Sequence, residues 1–279
     1  NKEVSVRKIF ADAILNDNNL ITAAPSLTNS SNNTSDASGL YKSTDTNTGD
    51  ATYYFRGAVE NNYVSFAGFT WRIVRINEDG TIRIVMQDCI NDNAYVVFNS
   101  NSNDYKYMYY TNSEAKTVLE NWYQTNIGSK SDLINNVASG NYYCEQAKVK
   151  TLPESSSGNA TMTTNESYIP NFKCEMDGNS KGIINASVGL LTYDEVIYAG
   201  NYYLQTNTNY YLYNGKYFWT MSPAGFSGVY SIVWDVTSVG ALTTSFVYGS
   251  AALRPVLNLK ADTLVTGTGT SANPYVIES

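Results

Sequence analysis

Apolar and polar positions alternate most strongly between residues 53 and 86. Tyr53-Tyr54-Phe55, Tyr63-Val64-Ser65-Phe66 and Phe69-Thr70-Trp71-Arg72-Ile73-Val74-Arg75-Ile76 are rich in aromatic and β-branched side chains, which fit a pleated, half-buried surface. Asn77-Glu78-Asp79-Gly80 interrupts the run as a turn, and Thr81-Ile82-Arg83-Ile84-Val85-Met86 returns as a partner strand. The pattern puts Arg72, Arg75 and Arg83 on the solvated or edge side of this hairpin.

Helical spacing appears in three places. Val6, Ile9, Phe10, Ala13 and Ile14 predict a short amphipathic helix within residues 4–16. Ala115, Val118, Leu119 and Trp122 share one face between Asn112, a candidate cap, and Ile127. Thr192-Tyr193-Asp194-Glu195 is a capping box, followed by Val196, Ile197 and Ala199 and stopped by Gly200. Beyond Tyr202 the chain breaks into short strand-like pieces punctuated by Ser222-Pro223, Gly240 and Gly249. Residues 25–50 carry few large apolar groups and read as a linker or surface arm. The expectation is an α+β fold, with an N-terminal helix and polar arm over residues 1–50 and one domain over 51–279.

Composition narrows the chemistry. With 279 residues, 43% hydrophobic and 15% charged, the chain is long and apolar enough to bury a core. A net charge of −7 argues against nucleic acid and against an anionic membrane surface. There is no histidine and there are three cysteines. Ser-His-Asp, Cys-His and His-ligated metal sites are therefore excluded, as is a cluster on four cysteines. No cofactor and no metal are expected. The 24 tyrosines and 19 glycines, with much Asn, Ser and Thr, match the mixture of binding loops, and equally that of an extracellular β-rich protein.

Cys144 and Cys174 flank a polar stretch containing Ser155-Ser156-Ser157-Gly158. A disulfide there would close about 30 residues and contribute roughly 3–4 kcal/mol through chain entropy; two free thiols are the alternative. Cys89 has no evident partner and no histidine to act as its base. The chain opens Asn-Lys-Glu without Met, which reads as the loss of an upstream signal or anchor. The expected location is extracellular or cell-surface.

Three further motifs occur in order. Leu191-Thr192-Tyr193-Asp194-Glu195-Val196-Ile197-Tyr198-Ala199-Gly200, Phe218-Trp219-Thr220-Met221-Ser222-Pro223 and Ala252-Leu253-Arg254-Pro255-Val256-Leu257-Asn258-Leu259 resemble elements of the C-type lectin-like fold of the formylglycine-generating type. The Tyr54 to Met86 block also looks like that of large surface proteins of Gram-positive bacteria. The resemblance spans residues 52–259. The oxidases of that family carry their catalytic cysteines late in the chain, and no cysteine follows Cys174 here. Lectin-type calcium ligands are also missing; Trp234-Asp235-Val236 is a poor match to them.

The chain is also similar to the variable proteins of diversity-generating retroelements, whose C-terminal segment is diversified at adenine-containing Asn codons. Such codons can become Ser, Gly, Tyr, Thr, Ala, Val, Asp or Phe, and never Lys, Glu, Gln, Met or Trp. Residues 223–251 hold none of those five except Trp234, a framework residue on this reading. Asn is absent between Asn214 and Asn258, where its overall frequency of about 12% would give about five. Ordinary strands deplete the same residues.

The resemblance thus implies a non-catalytic, retroelement-diversified receptor or adhesin whose contact segment is 222–252. The candidate contact residues are Ser227, Gly228, Tyr230, Ser231, Val233, Asp235, Thr237, Ser238, Ala241, Thr243, Ser245, Phe246, Tyr248 and Ser250. Tyr230, Phe246 and Tyr248 are the candidate aromatic anchors, although Phe246 reads as a core residue. The partner would be a protein or glycan on a host, phage or bacterial surface, and a neutral one, since Asp235 is the only charge in 217–253. The alternatives are a fixed structural or pilus-tip module, or an enzyme. The visible acidic pair Asp194-Glu195 needs no catalytic role, because first-turn carboxylates favour the helix dipole.

Overall fold

The computed structural model describes residues 6–27, 36–151, 161–162 and 169–277. Strands dominate, and the few helices are short, an α+β arrangement. The predicted hairpin forms as Phe69–Ile76 and Ile82–Met86. Its turn closes through Asn77 N donating to Thr81 O at 2.8 Å, with Gly80 at φ 82°, a conformation that glycine adopts without strain. Around this hairpin a ten-stranded sheet assembles. Phe69–Ile76 pairs with Tyr63–Phe66 and Thr52–Arg56, and Val256–Leu259 pairs with Ile82–Met86.

The chain ends belong to the same sheet. Lys8–Ile9 pairs with Leu264–Thr266, and Tyr275–Ile277 runs parallel to Tyr63–Phe66. Gly39–Ser43 pairs with Thr52–Arg56, and Leu20–Ile21 runs parallel to Gly39–Ser43. The segment expected to be a separate arm is therefore partly sheet, with Leu40 and Tyr41 buried.

The arginines correct the sequence expectation. Arg72 and Arg83 are buried, and Arg75 is half-buried. Every residue of Ile82–Met86 is interior because helices and loops cover both faces. Burying a guanidinium is costly unless its donors are satisfied. Arg72 Nε donates to Asn62 Oδ1 at 2.6 Å and Nη2 to Val59 O at 2.6 Å, and its plane lies 3.8 Å from the Tyr63 ring centroid. Arg83 is ion-paired with Glu195, Nη2 lying 3.1 Å from Oε2.

The helices follow their caps. Phe10–Asp17 buries Phe10, Ala13 and Ile14, while Val6 and Ile9 stay exposed. Glu114–Tyr123 starts from Ser113 rather than Asn112, with Ser113 Oγ accepting from Lys116 N at 3.0 Å. It runs on into a single π turn, Gln124–Gly128. The capping box of Tyr193–Tyr198 is complete: Glu195 N donates to Thr192 Oγ1 at 3.2 Å, and Thr192 N to Glu195 Oε2 at 2.9 Å.

The Cys144–Cys174 disulfide is present, with Cα atoms 5.8 Å apart. Ser155-Ser156-Ser157-Gly158 lies outside the described residues. Cys89 is a buried free thiol, and burial pushes its pKa up. No helix among the described residues is long and apolar enough to cross a membrane.

Candidate ligand-contact surface

A smaller three-stranded sheet, Phe218–Phe226, Ser231–Val236 and Leu242–Phe246, carries the candidate contact segment. All nine residues of Phe218–Phe226 are buried. Trp234 lies between Tyr193 at 4.4 Å and Tyr203 at 5.4 Å. Trp219 packs on Phe98 at 5.7 Å and donates its indole N–H to Val96 O at 3.0 Å. The sheet is thus rigidly seated.

Its turns lie at two ends. At one end the Ser227–Tyr230 turn has Gly228 at φ 85° and Ser227 Oγ accepting from Tyr230 N at 2.9 Å. The Phe246–Gly249 turn lies beside it and closes through Gly249 N to Phe246 O at 2.8 Å, while Val247 N donates to Ser231 O at 3.1 Å. These two turns bring three rings together. Tyr230, Phe246 and Tyr248 have all three centroid separations at 5.3 Å, Phe246 and Tyr248 being stacked.

The rings remain 39%, 40% and 45% exposed respectively, so they form a platform rather than a core. Phe246, expected inside, points outward because Val247 fills the interior position. Val229, 55% exposed, precedes Tyr230 in the same turn.

The other predicted contact residues divide by position. Ser227 and Ser250 are exposed beside the platform, and Gly228 is partly so. Thr237 and the exposed Ser238 sit in the turn at the opposite end. Ser231, Val233, Asp235 and Ala241 are buried and cannot touch a partner; their side chains hold the sheet in place.

Thr243 and Ser245 are half-buried and tied to Asp235. Asp235 also accepts from the Tyr217 hydroxyl at 3.1 Å. Burial raises the Asp235 pKa, and the hydroxyl donors of Thr243, Ser245 and Tyr217 partly offset that shift. Burial and the neighbouring carboxylate push Tyr217 up to about 12.

Sequence reasoning missed Tyr217, Tyr95 and Val229. Tyr95 is 52% exposed and meets Tyr217 edge-on at 6.2 Å. It is delivered by a one-turn coil in which Asn91, Asp92 and Asn93 all have left-handed φ angles, which Asn and Asp tolerate best after glycine. The next residues, Val96–Val97, pair with Ser250–Ala251. Only the run of three Asn/Asp residues signals that coil locally, and nothing local signals the pairing. The chain matches no family model, no curated protein and no solved structure.

Proposed function

We propose that the chain is a non-catalytic, surface-displayed binding protein of C-type lectin-like fold, related to the retroelement-diversified variable proteins, and that it engages a neutral protein or glycan surface through the Tyr230–Phe246–Tyr248 platform. The observation that carries this reading is the platform itself. Three large aromatic side chains are held half-exposed on short turns of a buried sheet, where aromatic anchors usually dominate binding energy. Two features support it. The residues that carry the resemblance sit in the interior as framework: Thr192, Trp219 and Arg254 are all buried. Outward positions of the segment are Ser, Gly, Thr, Tyr, Phe and Val, residues that adenine mutagenesis of Asn codons produces.

The test is to sequence residues 215–260 across a population of the source cells, reading both flanks for a near-copy of the coding segment. The expected result is substitution confined to positions 227–230, 237–238, 243–246 and 248–250, with the buried Ser231, Val233, Trp234, Asp235, Ala241 and Val247 constant. A uniform sequence without a near-copy overturns the diversified reading.

A further inference from the structure

A separate cleft of about 320 Å³ shares no residue with the 217–253 segment. Its volume is at the lower end of the roughly 300–1,000 Å³ that small-molecule sites occupy. Five pieces of chain wall it, the fifth contributing Ile183. The hairpin turn supplies Asn77, Glu78 and Asp79, with Arg75 beside them; Gly140–Cys144 supplies Asn141 and Tyr142. Asn47 and Thr48 form the third wall, and Phe172 with Cys174 the fourth.

These walls are fastened to one another. The disulfide joins Cys144 to Cys174, and Asn47 Oδ1 accepts from Cys174 N at 2.8 Å. Phe172 N donates to Asp45 O at 2.9 Å. A cleft fixed in this way loses little entropy when it is filled.

Its inner polar groups are only partly paired, since Asn77 Oδ1 and Arg75 Nε are buried without a hydrogen-bond partner. Asp79 Oδ1 accepts from Thr81 N at 3.0 Å and from the Thr81 hydroxyl at 2.6 Å, and Asn77 Nδ2 donates to Thr81 Oγ1 at 2.8 Å and Asn258 Oδ1 at 3.0 Å. Arg75 lies 4.8 Å from the Phe172 ring centroid and contacts Glu78 at 3.4 Å. The rim differs: Asn47, Thr48, Asp79 and Asn141 are exposed. They set amide, hydroxyl and carboxylate groups around the aromatic Tyr142.

That combination suits a polyhydroxylated ring, whose hydroxyls donate to carboxylates and accept from amides while its C–H face lies on an aromatic ring. One arginine against two carboxylates leaves the lining at −1, which disfavours acidic sugars. No group of three metal-ligating side chains occurs among the described residues. We propose that this cleft binds a single neutral pyranose unit, independently of the aromatic platform.

The test is saturation-transfer NMR and calorimetry on the full chain with glucose, galactose, mannose, N-acetylglucosamine and N-acetylgalactosamine, and with sialic acid as the acidic comparison. At least one neutral sugar should bind saturably. T48W, which fills the mouth from an exposed position, and N141A should each weaken that binding about tenfold or more, with unchanged far-ultraviolet circular dichroism and thermal midpoint. The variant Y230A/F246A/Y248A should bind it as the parent does. Absence of saturable binding by every neutral sugar, indifference to T48W, equal binding of sialic acid, or loss in the triple variant would each overturn the proposal. None of these outcomes depends on whether residues 215–260 vary.

Discussion

The large sheet and the small one bury charge in opposite ways. The large sheet takes in guanidinium groups and ties them to groups distant in the chain: Arg56 binds Asp36 at 2.8 Å and the carbonyls of Ile197 at 2.8 Å and Tyr198 at 3.0 Å, and Arg83 binds Glu195. The small sheet takes in one carboxylate, Asp235, and surrounds it with hydroxyls from its own strands and from Tyr217. The first solution ties distant parts of the chain together, so every partner is needed. The second is local, and leaves the exposed side chains Tyr230, Phe246 and Tyr248 of the outer turns outside that buried network. A surface that must accommodate different side chains is better placed on the second kind of scaffold.

Breaking the long-range network should have the largest effect. E195A strands Arg83 in the interior and removes half of the capping box; we expect a loss of about 3–5 kcal/mol in denaturant unfolding. A loss below about 1 kcal/mol would show that the network is not a single unit. Opening the disulfide with C144S/C174S should cost roughly 3–4 kcal/mol in the same assay, since its Cys144–Cys174 separation of 30 residues sets the entropy released to the unfolded chain.

In the small sheet, D235A removes a shared acceptor from buried hydroxyls and should cost about 1–3 kcal/mol. D235N tests the charge alone. The folded-state pKa of Asp235 is raised by burial, so its protonated form favours the folded state: that contribution is full below the ordinary carboxylate range and is lost as pH rises through the raised value. The stability of D235N relative to the parent should therefore increase with pH across that interval; a flat difference would mean that the hydroxyls fully compensate for burial. Smallest of all, Y230A, F246A and Y248A singly should each change stability by about 1 kcal/mol or less, measured by thermal unfolding. Large losses there would make the platform a core after all and erase the contrast.

Local chemistry was legible in the sequence. The Asn77–Gly80 turn, the Thr192–Glu195 capping box and the Cys144–Cys174 pair depend on a few neighbouring residues or on the character of the stretch between them, and all three formed. What failed was the side on which a residue points. Alternation with period two says that Arg72 and Ile73 face opposite ways, but not that both faces are covered; here Tyr63, Tyr211 and Asn62 cover the arginine side. Phe246 failed for the converse reason, because the turn hands its interior position to Val247. The platform's three rings were named from composition, but their meeting depends on two turns lying side by side, which no local pattern encodes. The sugar-sized cleft was invisible altogether, since its walls come from five separated stretches.

The closing strands impose an order on folding. Ile82–Met86 sits inside the large sheet only because Val256–Leu259 lies along it, and Tyr63–Phe66 gains its outer neighbour only from Tyr275–Ile277. On the ribosome the first hairpins emerge long before either partner exists, so two strand edges stay open until residues 256–277 have been made. Contacts this distant in sequence close slowly, and open edges invite pairing with other chains in the meantime. The large sheet is therefore completed in a late step, and its open edges need shielding until Val256–Leu259 and Tyr275–Ile277 have emerged.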